Sequence, residues 1–192
     1  MELTGPVWLM QPIPYFGEEL VLEEWLYEPK IDGWRLQVIK YPNGKIEFWG
    51  RRLEKKPNWT EKLAYLTKYL EKLEKGTLLD CELYTNEGRN KIPSLFTRNF
   101  TCKPIIYVFD IIFYQNRFVG NLPLKERKEL LKTLPLEKPF YLILGKGLKD
   151  IKLAYEEAIK AGNEGIIIKK LSSPYQISSD GPMATENWRK IK

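Results

Sequence analysis

Short apolar runs separated by polar turns predict most of the secondary structure of this chain. Asn43 and Gly44 are typical of a β-hairpin turn, and they separate the first two runs. A later run, KPIIYVFDIIFY, is rich in Ile, Val, Phe and Tyr, which favours a buried strand. We predict strands at Trp34–Lys40, Lys45–Gly50, Thr77–Tyr84, Lys103–Tyr114, Pro139–Leu144, Gly165–Lys170 and Trp188–Lys192.

Three segments have the pattern of amphipathic helices. The first extends from about Trp59 to Lys75, and Gly76 follows it at the position of a C-terminal cap. Its apolar face consists of Leu63, Leu66, Leu70 and Leu73. The other helices are predicted at Pro123–Leu134 and Lys149–Ala161. Because helices, strands and hairpins are interspersed, the pattern favours an α+β fold of antiparallel sheets flanked by helices. No linker divides residues 1–192, so a single domain is expected.

Composition excludes several kinds of chemistry. The 192 residues include no histidine and two cysteines, so histidine-based catalysis is excluded and neither a disulfide framework nor a Cys-x-x-Cys zinc site is expected. Lys and Arg number 31 against 25 Asp and Glu, and the resulting charge of +6 fits a polyanionic partner such as nucleic acid. Neither a signal peptide nor a membrane-spanning stretch is present, which predicts a cytoplasmic protein without membrane contacts.

One short segment, Lys30–Arg35 (KIDGWR), combines a lysine, a carboxylate, a glycine and an arginine. A lysine can form a covalent bond to phosphorus if it is neutral when it attacks. Asp32 can orient this amine or a metal ion, Gly33 permits a tight turn, and Arg35 offers a planar fork for phosphate or ribose oxygens. An isolated K-x-D-G pattern is more often a surface turn, so the interpretation depends on further motifs.

The segment resembles motif I of the covalent nucleotidyltransferases, which are the DNA ligases, RNA ligases and mRNA capping enzymes. Segments similar to the later motifs follow in the family's order: Gly50–Arg52 (GRR), Leu79–Leu83 (LDCEL), Ile106–Asp110 (IYVFD), Glu164–Lys169 (EGIIIK) and Trp188–Lys192 (WRKIK). Three motifs depart from the family pattern. Gly50 replaces a serine, with Leu53 in place of a closing glycine, and Cys81 replaces a glycine. The arginine that ligases often carry shortly before the tryptophan of the last motif has no counterpart in Ala184–Asn187 (ATEN). The ordered set resembles ATP-dependent DNA ligases most, in particular the bacterial and archaeal end-joining type.

The resemblance implies a role for each motif residue. Lys30 would take AMP, and catalysis would also involve Asp32, Lys190 and Lys192. Contacts with the nucleotide are implied for Glu28, Arg35, Arg51, Glu82, Phe109, Glu164, Lys169, Lys190 and Lys192. Among these, Glu28 would read the adenine amino group, Phe109 would stack on adenine, and the lysines would meet phosphates. Arg51 would contact AMP or the phosphate at the nick, and Glu82 and Glu164 would bind a metal ion.

The resemblance further implies an ATP-grasp-like nucleotidyltransferase domain that uses ATP with Mg²⁺ or Mn²⁺. A lysyl-AMP at Lys30 would pass AMP to the 5′-phosphate of nicked double-stranded DNA before strand joining. Such ligases usually continue into an OB-fold domain, which is absent from this chain. Three explanations stay open: a fragment of a longer ligase, a natural minimal protein, or a separate partner chain. The partners implied are nicked DNA and, under the third explanation, a separate OB-fold chain or end-joining proteins.

Two alternatives stay open at this point. The chain could be an RNA ligase or capping-type nucleotidyltransferase, which labelled GTP or nicked RNA would reveal. It could also be a non-catalytic nucleic-acid-binding module of the same fold, which would form no covalent AMP adduct.

Overall fold

The computed structural model describes all residues, Met1–Lys192. Its strands are β1 (Gln11–Pro14), β2 (Trp25–Lys30), β3 (Trp34–Lys40), β4 (Ile46–Gly50), β5 (Thr77–Thr85), β6 (Pro104–Tyr114), β7 (Arg117–Phe118), β8 (Phe140–Leu142), β9 (Lys146–Gly147), β10 (Gly165–Lys170) and β11 (Ala184–Ile191). The α-helices are α1 (Leu124–Thr133) and α2 (Ile151–Lys160). Four 3₁₀ segments lie at Leu22–Glu24, Leu53–Lys55, Ala64–Leu70 and Arg89–Phe96. Neither α-helix has the length and apolar content that crossing a bilayer requires.

The strands form two sheets. The first has the order β1-β11-β10-β2-β9, and the second has the order β4-β3-β5-β6-β7 with β8 also paired to β6. All pairings are antiparallel except those of β1 with β11 and of β6 with β8. The predicted α+β fold of antiparallel sheets is therefore confirmed. Only Ile31, Asp32 and Gly33 separate β2 in the first sheet from β3 in the second.

Strand alternation divides the side chains of each sheet between an outer core and the space between the sheets. On β10, Ile166 and Ile168 pack with Ala154 and Ala158 of α2, which covers the outer face of the first sheet. The outer face of the second sheet contributes to a larger core of 19 buried residues. That core receives all four leucines of the predicted helical face: Leu63, Leu66, Leu70 and Leu73.

The predicted α-helix at Trp59–Lys75 is wrong, because the segment forms turns and the 3₁₀ helix Ala64–Leu70. The buried Lys40 ammonium donates to the carbonyls of Leu70 and Glu71, at 2.9 and 2.7 Å. In a continuing α-helix those carbonyls would accept from backbone amides four residues later. Burial of the four leucines thus persists although the helical hydrogen-bonding pattern changes.

The ends of several elements also differ from their predicted positions. The last strand begins at Ala184 rather than Trp188, because β1 pairs with this earlier part of β11. Pro12 and Pro14 lie within β1, and prolines are typical of an edge strand, which β1 is. Neither β1 nor β2 was predicted as a strand, although the residues before Lys30 were expected to be extended.

Buried ion pairs join α1 to the space between the sheets. Asp110 and Arg127 are fully buried, and Arg127 donates to both carboxylate oxygens, at 2.7 and 3.0 Å. Its Nη1 also donates to the carbonyls of Leu122 and Ser173. Burial disfavours the Asp110 carboxylate, but the adjacent guanidinium lowers its pKa below the ordinary value. The carboxylate inside this apolar strand is therefore paired with a basic side chain.

Replacing Arg127 with methionine would leave Asp110 buried without its partner. We expect the free energy of unfolding to fall by about 3–5 kcal/mol, as measured by urea denaturation. The exposed Arg117→Met change should have an effect within about 0.5 kcal/mol. A similar small loss for both variants would show that the buried pair does not hold α1 in place.

Candidate active site

A cleft of about 820 Å³ lies between the two sheets. Every residue that the sequence singled out for a site role lines it: Glu28, Lys30, Asp32, Arg35, Arg51, Glu82, Phe109, Glu164, Lys169, Lys190 and Lys192. The structure therefore brings the predicted residues together, from segments spread over most of the chain. Their individual roles stay predictions.

The register of the strands determines where the site residues of the first sheet lie. On β2, Lys30 and Glu28 are two residues apart, so both side chains point to one face about 7 Å from each other. Glu28 is opposite Ile167, which in turn is opposite Lys190 on β11. Lys30 is opposite Gly165, where a Cβ would lie 2.0 Å from the carbonyl oxygen of Ile191. Glycine is required there because β10 and β11 approach so closely.

Lys30 lies in a cluster with Glu164 and Lys192. The Glu164 carboxylate pairs with both ammonium groups, one through each oxygen. Burial disfavours the charge on Glu164, but hydrogen bonds from Lys192 and Lys30 lower its pKa below the ordinary value. This shared carboxylate holds the amine of Lys30 at the open side of the cleft, where the Lys30 side chain is 19% exposed.

A second carboxylate, Glu28, lies deeper in the cleft and also pairs with two lysines. Its oxygens contact Lys128 of α1 and Lys169 of β10, the latter at 2.7 Å. The Lys169 ammonium also lies 4.6 Å from the Phe109 ring centroid and 3.9 Å from that of Trp188. Burial lowers the pKa of Lys169 to about 8. Lys169 was expected to meet a phosphate, and the structure places its amine at Glu28 and these rings.

Arg35 is held on the opposite wall. Its Nε and Nη2 donate to the two oxygens of buried Asp80, each at 2.5 Å, and Nη2 also contacts the carbonyl of Met10 at 3.1 Å. Tyr175 donates to the same carboxylate at 2.6 Å. Burial disfavours the charge on Arg35, but Asp80 raises its pKa above the ordinary value. The guanidinium lies 4.9 Å from the Phe109 ring centroid, and Nη1 makes none of these hydrogen bonds.

Phe109 enters the cleft through an irregularity in β6. Asp80 pairs with Asp110 and Cys81 pairs with Val108, so Phe109 has no partner on β5. Such a bulge redirects side chains relative to regular alternation. Phe109 and Asp110 consequently both reach the space between the sheets.

Glu82 occupies the wall between Arg35 and the chain crossing. It is opposite Arg35 on β3, and burial raises its pKa to about 7. A Cβ on Gly33 would lie 2.4 Å from the carbonyl oxygen of Leu83 and 2.8 Å from Cγ of Glu82. Gly33 is therefore explained by close approach of β5, whereas the sequence suggested a tight turn.

The mouth of the cleft contains residues that the motifs did not reveal. Asp32 pairs with Arg89 of the fourth 3₁₀ segment, and both side chains are about half exposed. Arg51 lies near Gln11, with 3.3 Å between Nη1 and Oε1. No sequence pattern marked Arg89. Deeper in the cleft, Lys128 also lies outside the motifs, but a sequence pattern did mark it. It lies between Leu124 and Leu131 on the buried face of α1, where a charged residue requires a partner.

Comparison with known proteins agrees with this arrangement. The family model described as the ATP dependent DNA ligase domain matches residues 16–192. The chain belongs to this family. A DNA ligase of Archaeoglobus fulgidus is 31% identical over 182 residues, covering 86% of this chain and 31% of that protein. The SPbeta prophage-derived DNA ligase-like protein LigB of Bacillus subtilis is 31% identical over 176 residues, covering 88% of this chain and 61% of that protein.

Solved DNA ligase structures share the fold. A mycobacterial DNA ligase D complexed with ATP and MES superimposes with a TM-score of 0.69 at 22% identity, covering 96% of this chain and 60% of that one. A Chlorella virus DNA ligase-adenylate gives a TM-score of 0.66 at 16% identity, covering 97% and 67%. The ligase-domain chain thus spans about a third of the archaeal relative and about three fifths of the Bacillus one.

The raised pKa of Glu82 predicts a pH-dependent stability. A carboxyl with a pKa of about 7 in the fold and 4.5 when unfolded contributes stability below about pH 4.5, and this contribution is lost as pH rises through about 7. Glu82→Gln removes the ionisation. We therefore expect the free energy of unfolding of the variant to rise relative to that of the wild type between pH 5 and pH 8, by up to roughly 3 kcal/mol. Denaturant unfolding measured across that range tests this.

Glu87→Gln serves as the control, because Glu87 is exposed just beyond the end of β5. Its stability difference from the wild type should stay constant with pH. Parallel pH profiles for the wild type and Glu82→Gln would contradict the raised pKa.

Proposed function

We propose that this domain loads AMP onto Lys30 and transfers it to the 5′-phosphate of nicked double-stranded DNA, as the catalytic part of an ATP-dependent DNA ligase. The observation that carries the proposal is the position of Lys30. Its amine lies at the end of β2, faces the cleft, and shares Glu164 with Lys192. Lys190 lines the same cleft from β11.

The chemistry proceeds in three transfers. The neutral Lys30 amine forms a bond to the α-phosphorus of ATP while the bond to the bridging oxygen breaks, which releases pyrophosphate and a proton. AMP then passes from Lys30 to the 5′-phosphate of the nick. The 3′-hydroxyl finally attacks that phosphate and releases AMP. Lys190 and Lys192 provide positive charge for the phosphate oxygens, because such transfers depend mainly on positioning and charge neutralisation.

The remaining cleft residues divide between the base, the ribose and a metal ion. Phe109, Ile143 and Ile167 offer apolar surface for adenine, with Glu28 beside it. Nη1 of Arg35 suits ribose or phosphate oxygens, and the carboxyl of Glu82 suits a ribose hydroxyl. Glu82 and Glu164 are the carboxylates that would hold Mg²⁺ or Mn²⁺, because such an ion at a nucleotide site needs only one or two carboxylates and nucleotide phosphates would complete its coordination.

The positive charge at the mouth of the cleft fits nicked DNA as a substrate. Arg51, Arg52, Lys55 and Arg89 all line it, and basic side chains of this kind neutralise phosphates of the nucleic acid backbone. Asp32 holds Arg89, so the two residues would meet the DNA end together. An OB-fold domain or end-joining proteins would complete the enclosure of the duplex.

The first transfer predicts a covalent adduct. Incubation with α-³²P-labelled ATP and Mg²⁺ should label the protein through an acid-labile bond, and Lys30→Ala should lower the labelling by at least about 100-fold because the nucleophile is gone. Lys160→Ala, at the exposed end of α2, should label like the wild type. Equal labelling of the Lys30→Ala protein would exclude Lys30 as the nucleophile.

The second transfer predicts substrate selectivity. The labelled protein, freed of ATP, should pass AMP to a nicked DNA duplex bearing a 5′-phosphate, and the label should appear on DNA in denaturing gels. A nick with a 5′-hydroxyl has no acceptor phosphate and should receive none. Preferential transfer to nicked RNA, or labelling with GTP, would instead support an RNA ligase or capping-type enzyme.

A further inference from the structure

A buried lysine from outside the family motifs reaches the inner end of the cleft. Lys128 extends from α1, and its side chain is 5% exposed. Its ammonium donates to Oε1 of Glu28, to the carbonyl of Phe109 at 2.6 Å and to the carbonyl of Ile143 at 2.7 Å. These acceptors belong to β2, β6 and the residue following β8, so one amine joins three separate segments.

The three contacts use every donor of the ammonium group. A lysine has three N–H donors and no acceptor, so Lys128 has none left for a ligand. Glu28 keeps unused lone pairs, because each carboxylate oxygen can accept two hydrogen bonds. At the inner end of the cleft, next to Phe109, Ile143 and Ile167, Glu28 therefore presents a carboxylate acceptor. Lys128 holds this carboxylate in position from the side of α1.

The second lysine at Glu28 is held differently. Lys169 lies 2.7 Å from Oε2, yet its ammonium makes no aligned hydrogen bond. Lys128 therefore provides the directional contact with Glu28, whereas Lys169 provides mainly charge. Without Lys128, the carboxylate would be free to turn towards Lys169 and away from the apolar surface.

We propose that Lys128 is a positioning residue for base selectivity, which holds Glu28 where it accepts a hydrogen bond from the exocyclic amino group of a 6-aminopurine. This inference rests on the proposed function, because it assumes that an adenine nucleotide occupies the cleft. A buried ion pair that only stabilised α1 would need no carboxylate lining the cleft, and the fully buried pair of Arg127 and Asp110 already connects α1 to β6.

The test compares binding of two nucleotides that cannot adenylate the protein. Calorimetry gives the Kd of AMP and of purine riboside 5′-monophosphate, which lacks the amino group. We expect the wild type to prefer AMP by about tenfold, the magnitude for a hydrogen bond to a charged group. In Lys128→Met the preference should fall to about twofold or less, while the penalty for 2′-deoxy-AMP relative to AMP should stay unchanged.

Two further variants separate positioning from folding. Lys132→Met, one turn further along α1 at an exposed site, should keep the wild-type preference. Glu28→Gln retains the shape of the side chain but replaces the carboxylate with a weaker, neutral acceptor, so by itself it should lower the preference to about twofold. Combining it with Lys128→Met should cause no further loss, because the two residues act through the same contact. Glu28→Gln also provides a measurement should Lys128→Met fail to fold.

The possible results point to different conclusions. An unchanged AMP preference in folded Lys128→Met, or an unchanged preference in Glu28→Gln, would overturn the positioning role and leave adenylation at Lys30 unaffected. A wild type that binds AMP and the purine analogue equally would also overturn it. A wild type that binds no adenine nucleotide and forms no labelled adduct would overturn the proposed function, and this inference with it.

Discussion

The crossing of the chain between its two sheets is the constraint on which the site depends. Three residues connect β2 to β3, so the end of one sheet and the start of the other must lie within a few residues' reach. This brings Lys30 of the first sheet close to Glu82 and Arg35 of the second. The crossing fits only because Gly33 lacks a Cβ, which would otherwise meet the Leu83 carbonyl oxygen at 2.4 Å. The glycine of the motif is thus a packing requirement of the whole cleft.

Charge compensation is the second requirement of a cleft formed between sheets. A buried charge is costly unless it is paired, and here three of the four deep carboxylates are paired with cations. Asp80 has Arg35, Asp110 has Arg127, and Glu28 has two lysines. Glu82 is in none of these ion pairs, which explains why burial dominates its pKa. Of these carboxylates, only Glu82, which lies nearest the crossing, therefore has no ion-pair partner.

Much of the site was predictable from sequence because its motifs lie on strands. The resemblance of the ordered segments to the family's motifs selected residues that meet in one cleft, as Glu28, Lys169 and Lys190 do. Contacts that depend on tertiary structure were not predictable. Arg89 comes from a 3₁₀ segment without any motif, and Lys128 reaches Glu28 across 100 residues of chain. The end of the leucine-rich 3₁₀ segment likewise contacts Lys40, which is distant in sequence.

The departures from the family motifs at Cys81 and Gly50 have separate structural explanations. Cys81 is fully buried in the 19-residue core, opposite Leu36 and Val108, so its side chain points away from the cleft. A small apolar side chain there adds to the core and leaves Glu82 in place. Gly50 is different, because a Cβ there would lie 2.6 Å from the indole ring of Trp59. Trp59 packs with Trp34 and Phe96 and also lines the cleft. An aromatic wall therefore occupies the space that the serine of the usual motif would need, so a serine at position 50 would require Trp59 to shift.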